Sequence, residues 1–249
     1  MLVSQFFGSN LRLQTKNIMR KSLLLTLGLI SFLSSQVNAQ TYIWAEQFTG
    51  SSYQMPQDLE ADVNGATYSC GWMIGTSTFD TISLSGISYD GFVVKYNKDG
   101  HALWAQRLGG TSYDGAFQVA RDGTDGVYVA GWFYGNFAVA DTTLTGTATD
   151  YDAFLVKFDT NGVFQWVKTQ TGSGYTKPIG LEADDDGDVY VQIGFTGNFT
   201  AGSSSLTATT TSTSFCNNAL IKYDTDGNYQ WKTQIEGDHY IINSWYWDY

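Results

Sequence analysis

Cysteine, proline, histidine and basic residues are all scarce in this sequence. Its 249 residues include two Cys, two Pro and two His, with 13 Lys and Arg against 24 Asp and Glu, for a formal net charge of −11. Two cysteines exclude a disulfide-dense scaffold and a multi-cysteine zinc ribbon. The acidic balance argues against binding to a nucleic-acid backbone, which needs clustered Lys and Arg. We therefore expect no nucleic-acid partner.

The motifs of common catalytic sites are also missing. His101 and His239 fall at non-equivalent positions, and the sequence contains no nucleophile elbow, zincin motif or phosphate-binding loop. A pair of carboxylates for glycoside chemistry stays open, because the distance between the two groups decides their role. Most acidic residues, however, recur at turns, as a structural role requires. We expect no enzymatic activity, and a polysaccharide-active enzyme is the least favoured alternative.

The N-terminal segment has the order of a secretory signal peptide. Basic residues follow Met19, an apolar run extends from Leu23 to Leu33, and small residues lead to Ala39. The apolar run is too short to span a bilayer as a helix, so no transmembrane span is predicted. Residues 1–39 are assigned as the signal peptide, with Met19 as an alternative start. The mature protein is expected to be secreted or held at the cell surface.

The remaining chain, residues 40–249, repeats one unit along its length. Four tryptophans recur at nearly even spacing, and an Asp, a Tyr, a Gly and a Lys return at matching positions between them. Insertions fall in Ser/Thr-rich stretches between the Gly and the Lys, which is typical of a tandem structural repeat. The landmarks are Trp44, Trp104, Trp166 and Trp231; Asp62, Asp122 and Asp184; Tyr68, Tyr128 and Tyr190; Gly75, Gly135 and Gly197; Lys95, Lys157 and Lys222.

Each block is predicted to form four short strands, carrying in turn the Trp, the run into the Asp turn, the Tyr and the Lys. Asx and Gly residues at the turns favour hairpins, because Gly provides the positive φ and Asx side chains bond the backbone. No long stretch has a helical period. The sequence therefore predicts an all-β protein, a β-propeller built of four-stranded antiparallel blades. Its blocks are 44–103, 104–165, 166–230 and a partial 231–249.

The last block stops soon after its tryptophan, and Tyr249 takes the place of the turn Asp. Propellers commonly close with about 4–8 blades, so three blades plus part of a fourth make an incomplete ring. A fragment of a longer protein is the favoured interpretation. A ring completed by oligomerisation and an open or unusually small array of blades are the alternatives.

Two segments resemble the SBBP β-propeller repeat of bacterial surface proteins. One is 152–166, Asp-Ala-Phe-Leu-Val-Lys-Phe-Asp-Thr-Asn-Gly-Val-Phe-Gln-Trp, and the other is Gly-Gly-Thr-Ser-Tyr-Asp at 109–114 leading into Gly-Val-Tyr-Val-Ala-Gly at 126–131. The resemblance covers about residues 42–236. It implies a propeller fold and an exported protein of the kind found in Bacteroidota, and it implies no catalytic residues. The blocks here are longer than the usual repeat, and a C-terminal sorting domain is missing.

Calcium is the one cofactor that the sequence weakly indicates. Asp184, Asp186 and Asp188 lie in an acidic stretch with Gly187, and hard oxygen ligands at alternate positions are typical of a calcium loop. The position that should supply a bidentate Glu is Ile193. A solvent-facing acidic hairpin without a metal is therefore the favoured interpretation.

The aromatic residues and the two cysteines are the remaining candidates for a structural or binding role. We expect the landmark tryptophans to pack between blades, and four aromatics among residues 245–249 to pack under a following blade or to stack on sugar rings. Cys70 and Cys216 lie in non-neighbouring blocks, so two unpaired thiols are favoured over a disulfide.

The expected function is that of a non-catalytic, exported β-propeller module, a binding or adhesion scaffold with an extracellular protein or glycan as partner. Its variable loops are where recognition is expected. A carbohydrate-binding lectin is the first alternative, and exposed aromatic residues on one face would distinguish it.

Overall fold

The computed structural model describes residues 49–50, 53–123, 126–147, 149–209 and 215–240. Contacts divide the chain into Met1–Ile43 and Trp44–Tyr249, and all described residues belong to the second unit. The predicted signal peptide, Trp44 and the aromatic residues of 245–249 lie outside the described residues. No helix able to span a membrane occurs within these ranges.

Every regular element in the described part of the chain is a β-strand. The strands are β1 (Thr49–Gly50), β2 (Gln54–Ala61), β3 (Thr67–Phe79), β4 (Ile82–Tyr96), β5 (Ala102–Leu108), β6 (Asp114–Arg121), β7 (Gly126–Tyr134), β8 (Asn136–Val139), β9 (Thr142–Thr145), β10 (Tyr151–Asp159), β11 (Phe164–Gln170), β12 (Thr176–Ala183), β13 (Val189–Phe195), β14 (Asn198–Ala201), β15 (Ser204–Thr207), β16 (Phe215–Tyr223) and β17 (Tyr229–Tyr240).

The strands form three antiparallel sheets of the same design. The first sheet has the order β2-β3-β4-β5, with β1 added on β3; the second is β6-β7-β10-β11 and the third is β12-β13-β16-β17. Small hairpins, β8–β9 and β14–β15, interrupt the second and third sheets between their middle strands, where the sequence places its Ser/Thr-rich insertions. The predicted all-β architecture of four-stranded antiparallel sheets is confirmed.

The sheets are out of phase with the sequence blocks by one strand. Trp104 on β5 pairs with Lys95 on β4, so the tryptophan strand is the last strand of the preceding sheet. In the same way Trp231 lies on β17 and pairs with Lys222 on β16. The physical reason is the short Asx-Gly turn that joins each Lys strand to the next Trp strand, because such a turn makes its two strands hydrogen-bonded neighbours. Residues 231–240 therefore complete the third sheet.

The hydrophobic core lies between neighbouring sheets. One cluster joins Cys70 and Val93 of the first sheet to Val129 and Phe154 of the second, all fully buried. A second cluster joins the second and third sheets and includes Leu155 and residues of β13 and β16. Cys70 carries a free thiol, and burial raises its pKa. We call these two contact regions the first seam and the second seam.

Gly162 illustrates how a turn glycine also serves a seam. Its φ is +80°, and a Cβ built on it would lie 2.6 Å from the ring of Trp104 in the neighbouring sheet. Gly135 has a similar φ of +76° with open space around it. We expect Gly162→Ala to lower the unfolding free energy by about 1 kcal/mol more than Gly135→Ala. Alanine at a positive φ strains the backbone at both positions, but only the Cβ at position 162 would also overlap the Trp104 ring. Urea denaturation of both variants measures the difference, and equal losses would contradict it.

Candidate binding surfaces

The Tyr, Lys and Trp landmarks of the sequence stand side by side on three adjacent strands. Tyr68 pairs with Lys95, and Lys95 pairs with Trp104, across β3, β4 and β5. The Lys95 ammonium lies 5.0 Å from the centroid of the Tyr68 ring, within the range of a cation–π contact. The second and third sheets repeat this row with Tyr128, Lys157 and Trp166, and with Tyr190, Lys222 and Trp231.

Each of the first two rows docks on the last turn of the following sheet. Lys95 Nζ and Trp104 Nε1 both donate hydrogen bonds to the carbonyl oxygen of Thr160, at 2.8 and 3.0 Å. Lys157 and Trp166 donate to the carbonyl oxygen of Thr225 in the same way, both at 3.0 Å. Lys95 and Lys157, with Trp104 and Trp166, therefore hold neighbouring sheets together. The predicted packing of landmark tryptophans between blades is confirmed for Trp104 and Trp166.

The third row has no such turn to dock on within the described part of the chain. Lys222 instead forms an ion pair of 2.6 Å with Asp188 of its own sheet, and this hydrogen bond raises the pKa of the lysine. Trp231 is 41% exposed, although its ring still lies 6.1 Å from that of Tyr190. This row runs across β13, β16 and β17, and no further sheet follows it among the described residues.

The residues of the predicted calcium loop are engaged in turn contacts. Asp184 Oδ1 accepts the backbone N–H groups of Asp186 and Asp188 at 3.2 and 2.9 Å, and its Oδ2 accepts the Tyr190 hydroxyl. Asp188 pairs with Lys222. Among the described residues, no group of three or more acidic, His or Cys side chains is placed to hold a metal ion. Calcium at Asp184, Asp186 and Asp188 stays a prediction.

A polar cleft of about 200 Å³ lies where β2, β6 and β12 come together. The equivalent strands of the three sheets line it, and each strand has a β-bulge at the same place, after Pro56, Ala116 and Pro178. Burial raises the pKa of Glu60, and nearby Glu182 acts in the same direction while Arg121 opposes it. Glu60 and Glu182 both line this cleft, and the enzyme alternative would draw on two carboxylates of this kind.

Two buried carboxylates, Asp90 on β4 and Asp114 on β6, lie next to the loop before β6. Asp114 is 1% exposed and accepts the backbone N–H of Gly110 at 2.6 Å. Fully buried Asp90 forms an ion pair of 3.0 Å with Arg107. Burial raises the pKa of Asp114 to about 7, and the charge of Asp90 adds to this effect, while the Gly110 and Tyr134 hydrogen bonds and Arg107 oppose it.

Two equivalent aromatic clusters lie at the two seams. The first aromatic cluster consists of Trp72 on β3, Tyr89 on β4 and Tyr113 in the loop before β6, with centroid distances of 5.2 and 4.9 Å between successive rings. The second aromatic cluster consists of Trp132 on β7, Tyr151 on β10 and Tyr175 in the loop before β12, and its first two rings lie 4.4 Å apart. All six side chains are partly or largely exposed.

Sequence reasoning missed these clusters, although a signal was present. Trp72 and Trp132 stand at the same offset from the landmark tryptophans that precede them, and Tyr113 and Tyr175 share a second, shorter offset. Such fixed offsets predict equivalent positions in the repeat. The third sheet has Gly194 at the tryptophan position and lacks the cluster there. That the three side chains meet across a seam could not be read from the offsets, because it depends on how the sheets pack.

The chain is similar to a repeat protein of a giant virus. The chain is 26% identical over 149 residues to an uncharacterized WD repeat-containing protein, L264, of Acanthamoeba polyphaga mimivirus. The alignment covers 57% of this chain and 10% of the viral protein, so the chain matches about a tenth of that protein's length. No protein-family model matches the chain. The similarity and the three antiparallel four-stranded sheets together indicate a β-propeller-like repeat protein.

Proposed function

We propose that this protein is an exported, non-catalytic β-propeller module of the SBBP type that acts as a binding or adhesion scaffold at the cell surface or outside the cell. Its partner is an extracellular protein. The export step of the proposal is supported by the signal-peptide order of residues 1–39. The SBBP assignment, and with it an origin like that of the Bacteroidota proteins, is supported by the segments 109–114, 126–131 and 152–166.

The observation that carries the scaffold proposal is the repeated docking of each sheet on the next. Lys and Trp side chains bind the carbonyl oxygens of Thr160 and Thr225, so the seams are defined by hydrogen bonds as well as by apolar packing. A frame of this kind holds the loops before β6 and β12 in fixed positions. Tyr113 and Tyr175 lie on those loops, and surface aromatics on a rigid frame are well suited to recognition.

An export experiment tests the first half of the proposal. The full chain, with a C-terminal tag, is produced in a Bacteroidota host, and the protein outside the cytoplasm is sequenced from its N-terminus. We expect the mature protein to begin at Gln40, because cleavage follows Ala39. Leu25→Arg, which places a charge within the apolar run, is the matched control and should stay in the cytoplasm. Retention of the unchanged chain inside the cell with residues 1–39 attached would contradict export.

A lectin is the second candidate, and the aromatic clusters favour it because flat rings stack on the C–H faces of sugars. A glycan array with the mature protein and with Tyr113→Leu separates the two functions. Saturable glycan binding that Tyr113→Leu weakens would support the lectin. Absence of glycan binding by folded protein would leave the protein-binding scaffold as the function.

A further inference from the structure

The two aromatic clusters differ in the presence of a cation among the described residues. Lys177 on β12 lies next to the second aromatic cluster, and Gly115 occupies the equivalent position on β6 next to the first. Each of these residues directly follows the first residue of its strand, and each pairs with the position four residues after the landmark tyrosine of its sheet. Lys177 and Gly115 are therefore structurally equivalent positions at the two seams.

The second aromatic cluster shows what three such rings bind. The Lys177 ammonium lies 5.5 Å from the centroid of Trp132, 5.2 Å from that of Tyr151 and 5.6 Å from that of Tyr175. These distances are within the range of a cation–π contact for all three rings. Lys177 forms no ion pair with the described residues, and burial lowers its pKa. The rings are thus the principal neighbours of its charge.

We propose that the first aromatic cluster binds the ammonium group of a lysine side chain supplied by a protein partner. It has the same three ring types at the equivalent positions, and no described Lys or Arg has its charge over these rings, since position 115 is glycine. This inference rests on the proposed scaffold function and names the chemistry of its partner.

The approach to the first cluster is from solvent. The ring of Phe117 occupies the space that a side chain at Gly115 would take, 2.7 Å from the position of a Cβ there. Tyr113 is 50% exposed and Tyr89 is partly exposed, so a ligand cation would reach these two rings first. The net charge of −11 favours a basic partner, because it attracts cations at long range. A lysine on a partner surface meets both requirements.

The first test titrates mature protein with n-butylammonium and with a short Gly/Ser peptide that contains one lysine, while NMR follows the aromatic ring protons. The matched peptide has glutamine in place of lysine. We expect the two cationic probes to shift resonances of Tyr89 and Tyr113, and the glutamine peptide to leave them unchanged. Tyr89→Leu and Tyr113→Leu should each weaken binding about two- to fivefold, the range of one exposed cation–π contact. Tyr53→Leu, which alters a 69% exposed tyrosine outside the cluster, should bind as the unchanged protein does.

The second test removes the internal cation. Lys177→Ala is expected to open the second aromatic cluster, so that n-butylammonium also shifts resonances of Tyr151 and Tyr175. An unchanged far-ultraviolet circular dichroism spectrum shows that each variant is folded. Failure of the first aromatic cluster to bind n-butylammonium in folded protein would overturn the inference, whatever Lys177→Ala does at the second. Equal binding of the glutamine peptide or preferential binding of a neutral glycan would also overturn it. None of these outcomes affects export, so failure of the ammonium site and failure of the exported scaffold are distinguishable.

Discussion

Replacing Trp104 with alanine is expected to lower the unfolding free energy by about 3 kcal/mol, whereas the same change at Trp231 should cost less than about 1 kcal/mol. Both tryptophans hold the same position in the repeat. Trp104 packs in the first seam, with its ring 6.1 Å from that of Phe158 and its Nε1 bonded to the Thr160 carbonyl oxygen. Trp231 lies on the third sheet, which no further sheet follows among the described residues, and it is 41% exposed. The difference between the two losses in unfolding free energy therefore measures how much the contacts of Trp104 across the first seam contribute to stability.

Urea denaturation followed by circular dichroism provides the two free energies. Trp166→Ala is a second seam variant, because Trp166 bonds the Thr225 carbonyl oxygen and lies 5.8 Å from the ring of Tyr128. We expect it to behave like Trp104→Ala. Equal losses at all three tryptophans would show that packing within each sheet dominates and that the docking on the next sheet contributes little.

Stability is expected to fall as the pH rises from about 4 to about 8, and Asp114 is the main expected cause. The pKa of Asp114 is raised to about 7 in the folded protein, from an ordinary value of 3.8. The folded state therefore binds the proton more tightly than the unfolded state. This contribution to stability is complete below pH 4 and is lost as the pH rises through 7, and it amounts to about 4 kcal/mol at most.

Asp114→Asn is the variant that isolates this effect, because asparagine has the shape of the protonated acid and keeps an oxygen for the Gly110 N–H. Its unfolding free energy should change much less between pH 4 and pH 8 than that of the unchanged protein. Asp141→Asn, at an exposed turn residue, is the control and should keep the full pH dependence. The charged groups that act on Asp114 are Asp90 and Arg107. Burial also raises the pKa of Asp152, so Asp152 adds to the loss of stability as the pH rises. If Asp114→Asn shows the same change in unfolding free energy between pH 4 and pH 8 as the unchanged protein, Asp114 is not the cause of the pH dependence.

Most of the local architecture follows from patterns that are local in the chain. The Asx-Gly turns, such as the one ending at Gly162, set hairpins because glycine alone adopts their positive φ easily. The Tyr, Lys and Trp landmarks recur because they form one row across three antiparallel strands, whose register the turns determine. An expectation based on such spacing succeeds because its physical cause lies within a few residues of the pattern.

Contacts between sheets could not be predicted from the spacing of residues in the sequence. The sequence marks Lys95 and Lys157 as recurrent, and the packing of the sheets shows that they bind carbonyl oxygens 65 and 68 residues away. The same packing decides that Trp104 is a strand residue of one sheet and a seam contact of the next. Fixed spacing reveals which positions are equivalent, and it carries no information on which equivalent positions touch.

The sequence by itself determined the all-β class, the period of the repeat, the hairpin turns and the acidic charge, because each depends on composition or on neighbouring residues. Tertiary structure alone decided the docking of Lys95 and Trp104 on Thr160, the burial of Asp114 and the meeting of Trp132, Tyr151 and Tyr175 around Lys177. The physical reason is that these features arise from sheets packing face to face, where residues distant in the chain share one desolvated space.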